Sequence, residues 1–150
     1  MGGSRIAIRI SSYAPDNMAI KLIECDKQKS YKLAEYMNDI IIIQGDGRNV
    51  DLLKEEGIRD MDAFIALTDS SETNILACLT AKELGVKKTI AEVENIQFIS
   101  TAERLNIGNI INKKLLAASR IFQLLLDEDS SNAKCLALSD AEVEIGRAHV

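Results

Sequence analysis

Four consecutive isoleucines, residues 40–43, lead through Gln44 into Gly45-Asp46-Gly47-Arg48. An unbroken run of β-branched side chains has no polar face to show to water. It therefore reads as a strand covered on both sides, as in a parallel sheet. A glycine-acid-glycine turn at the carboxyl end of such a strand lies where open α/β sheets bind ligands. The same layout occurs earlier, where Gly2-Gly3-Ser4-Arg5-Ile6-Ala7 precedes a strand ending at Glu24. Together the two turns predict a mononucleotide or dinucleotide site.

The rest of the chain fits that frame. Ile6, Ile8 and Ile10 alternate like a strand, while Ile6 and Ile10 are also one helical turn apart. A helix over 4–13 is favoured because a glycine loop should open one. Residues 14–17 form a turn, 19–24 a strand, and Asp26 caps a helix over 27–37 with Leu33, Ala34 and Met37 facing the core. The isoleucine strand covers 40–44. Asn49 caps a helix over 50–56 that stops at Gly57, and a strand follows at 62–67. Ser70 or Ser71 caps a helix over 72–84, ended by Gly85; strand 88–93, helix 96–105, strand 109–112 and helix 113–126 complete the series. Alternating strands and helices with short connections make an α/β fold, a Rossmann-like doubly wound parallel sheet. A glycine loop normally follows a buried strand, and here only Met1 precedes Gly2. The first, central strand is therefore expected to be missing through truncation, leaving its two neighbours unpaired.

The chain has 150 residues, enough for one domain with a sizeable core. Tryptophan is absent and aromatics are 4%, so that core must be aliphatic. The net charge of −5 argues against a general nucleic-acid or membrane-surface binder. No apolar run approaches the roughly 18–20 residues that span a bilayer, and no secretory signal opens the chain. Cys25, Cys78 and Cys135 are odd in number and widely spaced, so neither a disulfide framework nor a metal site is expected. A reducing, cytoplasmic setting follows, with Cys25 and Cys78 read as small buried hydrophobes. Residues 127–143 are polar and read as a linker. Residues 144–150 are also encoded by a string matching a common sequencing adapter, so they read as read-through, with a genuine strand over 141–145 as the competing reading. The lone histidine, His149, falls in that tail.

The candidate site is built from three loops. Gly2, Gly3, Ser4, Arg5 and Ile6 approximate a phosphate loop opening a helix, in which Ala7 is an accepted last residue and Ser4 replaces the middle glycine. Glu24 lies 22 positions after Gly2, near the spacing of a ribose-binding acid. Such a carboxylate accepts both ribose hydroxyls and repels a 2′-phosphate, which points to an unphosphorylated ribose. Asp46 is placed to accept from an adenine amino group or to fix its own turn. Gly47 permits close approach of a planar base, and Arg48 is placed to stack on it or meet a phosphate. Thr68 is placed near the phosphates or a second ribose, whereas Ser70, Ser71 and Asn74 read as partners of helix-end N–H groups. A plain turn into a capped helix is the competing reading of each glycine loop.

These segments resemble a known family. Gly2-Gly3-Ser4-Arg5-Ile6-Ala7, Lys21-Leu22-Ile23-Glu24, Gly45-Asp46-Gly47, the stretch from Asp62 through Phe64 to Asp69, and Asn74 look like the nucleotide-binding RCK domain, also called KTN or TrkA-N. The stretch from Lys87 through Glu92 to Ile96, with Ile111-Asn112-Lys113-Lys114, is most similar to the second such domain of tandem TrkA proteins. The likeness spans residues 2–143. It implies a nucleotide-binding domain over 2–126 and a linker, 127–143, toward a C-terminal RCK domain. The expected function is a cytoplasmic regulatory subunit of a Trk-type potassium uptake system, peripheral on the inner face of the plasma membrane through its membrane potassium-transporting partner. The ligand implied is NAD(H) or an adenine nucleotide such as ATP or ADP. Gly2, Ser4, Arg5 and Ile6 would then contact phosphates, Glu24 the ribose, Asp46 and Gly47 the adenine side, and Thr68 the far side. Ser4 and Glu92 depart from the family pattern, which usually has glycine and often arginine at these positions.

The last helix is apolar over a wider stripe than one sheet face requires. The family's crossover helix lies here, which implies a homo-oligomer with Ile121, Phe122 and Leu125 at a dimer interface. Such a regulator needs no catalytic residue and is not an enzyme. Two alternatives stand beside it: the cofactor half of a truncated NAD-dependent oxidoreductase, and a domain that binds no nucleotide and serves assembly alone.

Overall fold

Two parallel sheets with helices between their strands make up the first of two units, residues 1–110; the second begins at 111, within the last strand of the series. The structure is a computed structural model and describes residues 1–126, 134–136 and 143–145. Helix α1 covers Arg5–Tyr13, followed by β1 Lys21–Glu24, α2 Lys27–Tyr36, β2 Ile41–Gln44 and α3 Val50–Glu55. A short 3-10 turn, Ile58–Asp60, leads into β3 Ala63–Ala66, α4 Ser71–Glu83 and β4 Lys88–Glu92. A second 3-10 turn, Ile96–Phe98, runs into α5 Ile99–Arg104, then β5 Asn109–Ile111 and α6 Lys113–Leu126.

Strands β1 and β2 pair in parallel with Ile23 opposite Ile43, while β3, β4 and β5 form a second sheet in that order. The two sheets are joined at their facing edges by the first two residues. Met1 N donates to Ile65 O at 2.7 Å, Leu67 N to Met1 O at 3.0 Å, and Gly2 N to Ile23 O at 2.8 Å. One rung of backbone thus spans the place a central strand takes in a doubly wound sheet.

Helices α2, α3 and α4 begin where side chains satisfy the free N–H groups of a first turn. Asp26 Oδ1 accepts from Lys29 N at 2.8 Å, Asn49 Oδ1 from Asp51 N at 2.9 Å, and Ser70 Oγ from Thr73 N at 3.1 Å. Each cap stabilises its helix by about 1 kcal/mol. Helix α4 lies against β3 and β4 through small residues: Ala77, Cys78 and Ala81 are fully buried, as are Ala66 and Ala91 on the strands. Leu53, Ile58, Phe64, Val93 and Ile107 fill the remaining core. Apart from Phe64 it is aliphatic, as a composition without tryptophan and with 4% aromatics requires.

Some expectations change. The isoleucine strand is not covered on both faces: Ile41 is 58% exposed and Ile42 and Ile43 are half-buried. β2 pairs only with β1 among the described residues, so it is an edge strand with α2 on one side. In α2, Leu33 is buried but Ala34 is exposed and Met37 only half-buried, because a short helix on an edge strand covers little area. The single helix expected over 96–105 divides into a 3-10 turn and α5. Cys78 is buried as expected, whereas Cys25 is exposed.

The second unit holds α6, whose first turn is capped by Asn112 Oδ1 accepting from Leu115 N at 3.0 Å. Lys134–Leu136 and Val143–Ile145 pair antiparallel, Lys134 opposite Ile145, within the stretch read as a linker and tail. The other residues of that stretch lie outside the described ones. Among the described residues no helix is long and apolar enough to cross a membrane.

Candidate functional site

The glycine turn is placed by the rung of backbone between the sheets. At Gly2, φ is +87°, and a Cβ there would sit 3.0 Å from the carbonyl of Leu67 and from Thr68 N. Only glycine takes that path without strain. Gly3 is held by contact instead: its N–H donates to Glu24 Oε2 at 2.7 Å, and a Cβ would press on that oxygen at 2.9 Å and on Leu33. Ser4, where glycine was expected, is the N-cap of α1, and its Oγ accepts from Ala7 N at 3.3 Å. Its hydroxyl closes the helix start, where the unpaired N–H groups and the helix dipole favour an anion.

Glu24 ends β1 with its side chain 5% exposed. Its Oε2 accepts from Gly3 N and lies 3.1 Å from Lys29 Nζ; its Oε1 accepts from Asp26 N at 3.0 Å. Burial by itself would raise its pKa. The Asp26 and Gly3 N–H groups, with the Lys29 ammonium, outweigh it and hold the carboxyl below its usual range. Cys25 next to it is pushed the other way, by burial and then by its contact with the Glu24 carboxylate.

Asp46 fixes its own turn. Its Oδ1 accepts from Arg48 N at 2.9 Å, and its two oxygens meet Arg48 Nε and Nη2 at 3.0 and 2.7 Å. The Arg48 guanidinium holds the Asp46 carboxyl below its usual range. Of the two roles open to Asp46, this is the one seen, and Arg48 is folded back onto it. Gly47 is buried behind them against Met1.

Thr68 follows β3. Its N–H and hydroxyl both donate to Asn74 Oδ1, at 3.0 and 2.6 Å. Asn74 Nδ2 donates in turn to the carbonyls of Thr68 and Glu92, each at 2.8 Å. Asn74 is 0% exposed, so it is a bracket between the β3 turn and the end of β4, not the helix-end partner expected. Ser71 Oγ accepts from Glu94 N at 3.0 Å and ties down the β4 exit. Only Ser70 caps α4.

These loops enclose one cleft of about 340 Å³ at the carboxyl ends of β1, β2 and β3. Gly2, Ser4, Glu24, Asp46, Gly47, Arg48 and Thr68 all line it. Gly3 lies behind, against Glu24. The side chains of Arg5 and Ile6 are outside it, on a shallow apolar surface of α1 shared with Ile8 and Tyr13. As first-turn helical residues they bring only backbone near the phosphate loop. Lys29, Cys25, Asp69 and Thr73 also line the cleft and were not anticipated. The signal for Lys29 was its place one turn into the helix that follows the ribose-side acid. Ile121, Phe122 and Leu125, in the second unit, are 61%, 41% and 69% exposed.

Residues 1–113 match the family model of the TrkA-N domain. The chain belongs to the TrkA-N family. It is 33% identical over 111 residues to a Trk system potassium uptake protein trkA homolog of Methanosarcina mazei, covering 74% of this chain and 27% of that protein. It is 30% identical over 149 residues to the TrkA of Vibrio alginolyticus, covering 99% of this chain and 32% of that one. The chain thus spans about a third or less of these relatives. Among solved structures, the TrkA-N domain of the Escherichia coli inner membrane protein ybaL matches with a TM-score of 0.70 at 11% identity, over 82% of this chain and 90% of that one. The GsuK channel bound to NAD matches with a TM-score of 0.64 at 15% identity, over 76% and 20%. These likenesses give the TrkA-N chain a Rossmann-like fold.

Proposed function

We propose that this TrkA-N chain is the nucleotide-sensing part of a regulator of Trk-type potassium uptake. The observation that carries the reading is the meeting of Gly2, Glu24, Asp46 and Thr68, from four separate stretches of chain, in one cleft. Gly2, Gly3 and Ser4, with the first-turn N–H groups of Arg5 and Ile6, hold phosphates; Glu24 takes the ribose; Asp46, Gly47 and Arg48 border the adenine, and Thr68 the far side. NAD(H) is the first candidate, supported by the NAD-bound channel of the same fold, and ATP or ADP the second. The reading asks for occupancy, not for an acid, base or nucleophile. A ligand that binds two assembly states unequally shifts their balance, and that shift would reach a membrane potassium-transporting partner from the cytoplasmic side.

A domain over 2–126 followed by a linker over 127–143 suits such a role, with the exposed Ile121, Phe122 and Leu125 of α6 covered by a second copy. Titration of the full-length protein with NADH, NAD, ATP, ADP and AMP, followed by thermal stability, tests the reading. A ligand at 100 times its dissociation constant stabilises by about 2.7 kcal/mol. Absence of any shift would leave assembly as the sole role.

A further inference from the structure

We infer that Lys29 sets how the cleft discriminates between a plain ribose and one carrying a 2′-phosphate. The inference rests on the nucleotide reading above and deepens it. An ionised carboxylate offers about four lone-pair positions. At Glu24, Gly3 N and Lys29 Nζ occupy Oε2, and Asp26 N occupies Oε1 with Cys25 Sγ at 3.5 Å. A ribose diol can reach this carboxylate only by displacing a donor. Gly3 and Asp26 donate from backbone that also forms the glycine turn and caps α2, so they cannot leave. Lys29 donates from a flexible stem whose side chain is 48% exposed, and it lines the same cleft. The Cys25 thiol, a weak donor at 3.5 Å, can free one position on Oε1; the second hydroxyl of a diol needs the position held by Lys29.

The exchange has unequal consequences for two ligands. With an unphosphorylated ribose, Lys29 gives up a charge-assisted bond and gains only solvent. With a phosphate on the ribose, the ammonium moves a short distance to a new anion and offsets the repulsion from Glu24. The position of Lys29 in the first turn of α2 works against the helix dipole, so helix stability does not account for it. The bare acid predicts rejection of 2′-phosphorylated ligands; the acid with its lysine removes most of that rejection.

The test is the ratio of the dissociation constants for NADPH and NADH in full-length wild type, Lys29→Gln and Lys29→Arg. The expected result is a ratio that rises about tenfold in Lys29→Gln, through tighter NADH and weaker NADPH, equivalent to about 1.4 kcal/mol. Lys29→Arg keeps the wild-type ratio. NADH binding with an unchanged ratio in Lys29→Gln overturns the role of Lys29 and leaves the nucleotide site standing. Binding of neither dinucleotide by any of the three proteins overturns both. Because Lys29 is half-exposed, unliganded stability reports whether each variant is folded.

Discussion

The Gly3 N–H reaches Glu24 Oε2 at 2.7 Å, and a Cβ at position 3 would stand 2.9 Å from the same oxygen. The turn and the acid are therefore fitted to each other before any ligand arrives. Gly3→Ala forces Leu33 and the carboxylate aside. It should destabilise by about 1–3 kcal/mol, the usual cost of overpacking, and weaken nucleotide binding as well. Urea denaturation alongside ligand titration measures the two effects separately.

Asn74→Ala should be the more damaging change in the β3–α4 region. It removes a partner of the Thr68 N–H, of the Thr68 carbonyl and of the Glu92 carbonyl, around an amide that is itself fully buried. A loss of about 3 kcal/mol or more is expected in denaturant unfolding. Asn74→Asp keeps the acceptor for Thr68 but turns an anionic oxygen toward two carbonyls, so it should rescue little.

Acid should unfold the protein partly through Glu24. Its folded pKa is depressed, so the stability it contributes is fully present above the usual glutamate value of 4.5 and is lost as pH falls from there through the folded value. Glu24→Gln should lower stability at neutral pH and flatten the acid limb. A wild-type slope retained in Glu24→Gln would assign that limb to other carboxylates.

Thiol labelling should separate the cysteines. Cys78 is buried at the core and burial pushes its pKa up to about 11, so it should react only on unfolding. Cys25 is exposed and lines the cleft. Iodoacetamide should modify it in the folded protein, slowly because its thiol is also raised, and a bound nucleotide should slow it further. Peptide mass mapping with and without NADH reads both sites.

Replacing Ile121 and Leu125 together by aspartate should shift the full-length protein toward smaller species in sedimentation velocity, with the fold of residues 1–110 unchanged by circular dichroism. An unaltered distribution would place the oligomer contact elsewhere.

Much of this fold was legible because local signals agreed with one another. Asp26, Asn49 and Ser70 each mark a helix start in the sequence and each makes the cap hydrogen bond. The placing of Glu24 and Asp46 at strand ends followed from the same alternation. What escaped depends on neighbours the sequence does not order. Ile41 looks buried until β2 is found at an edge. Asn74 looks like a helix-start residue until its amide is seen between Thr68 and Glu92. Lys29, in a run of charged residues, looks like a solvated face, because its pairing crosses from a helix turn to the end of a strand.

The bracket made by Asn74 has a mechanical corollary. A single buried amide ties the wall of the cleft that carries Thr68 to the tip of β4. A displacement of that wall would therefore strain a contact at the neighbouring strand's end as well as its own.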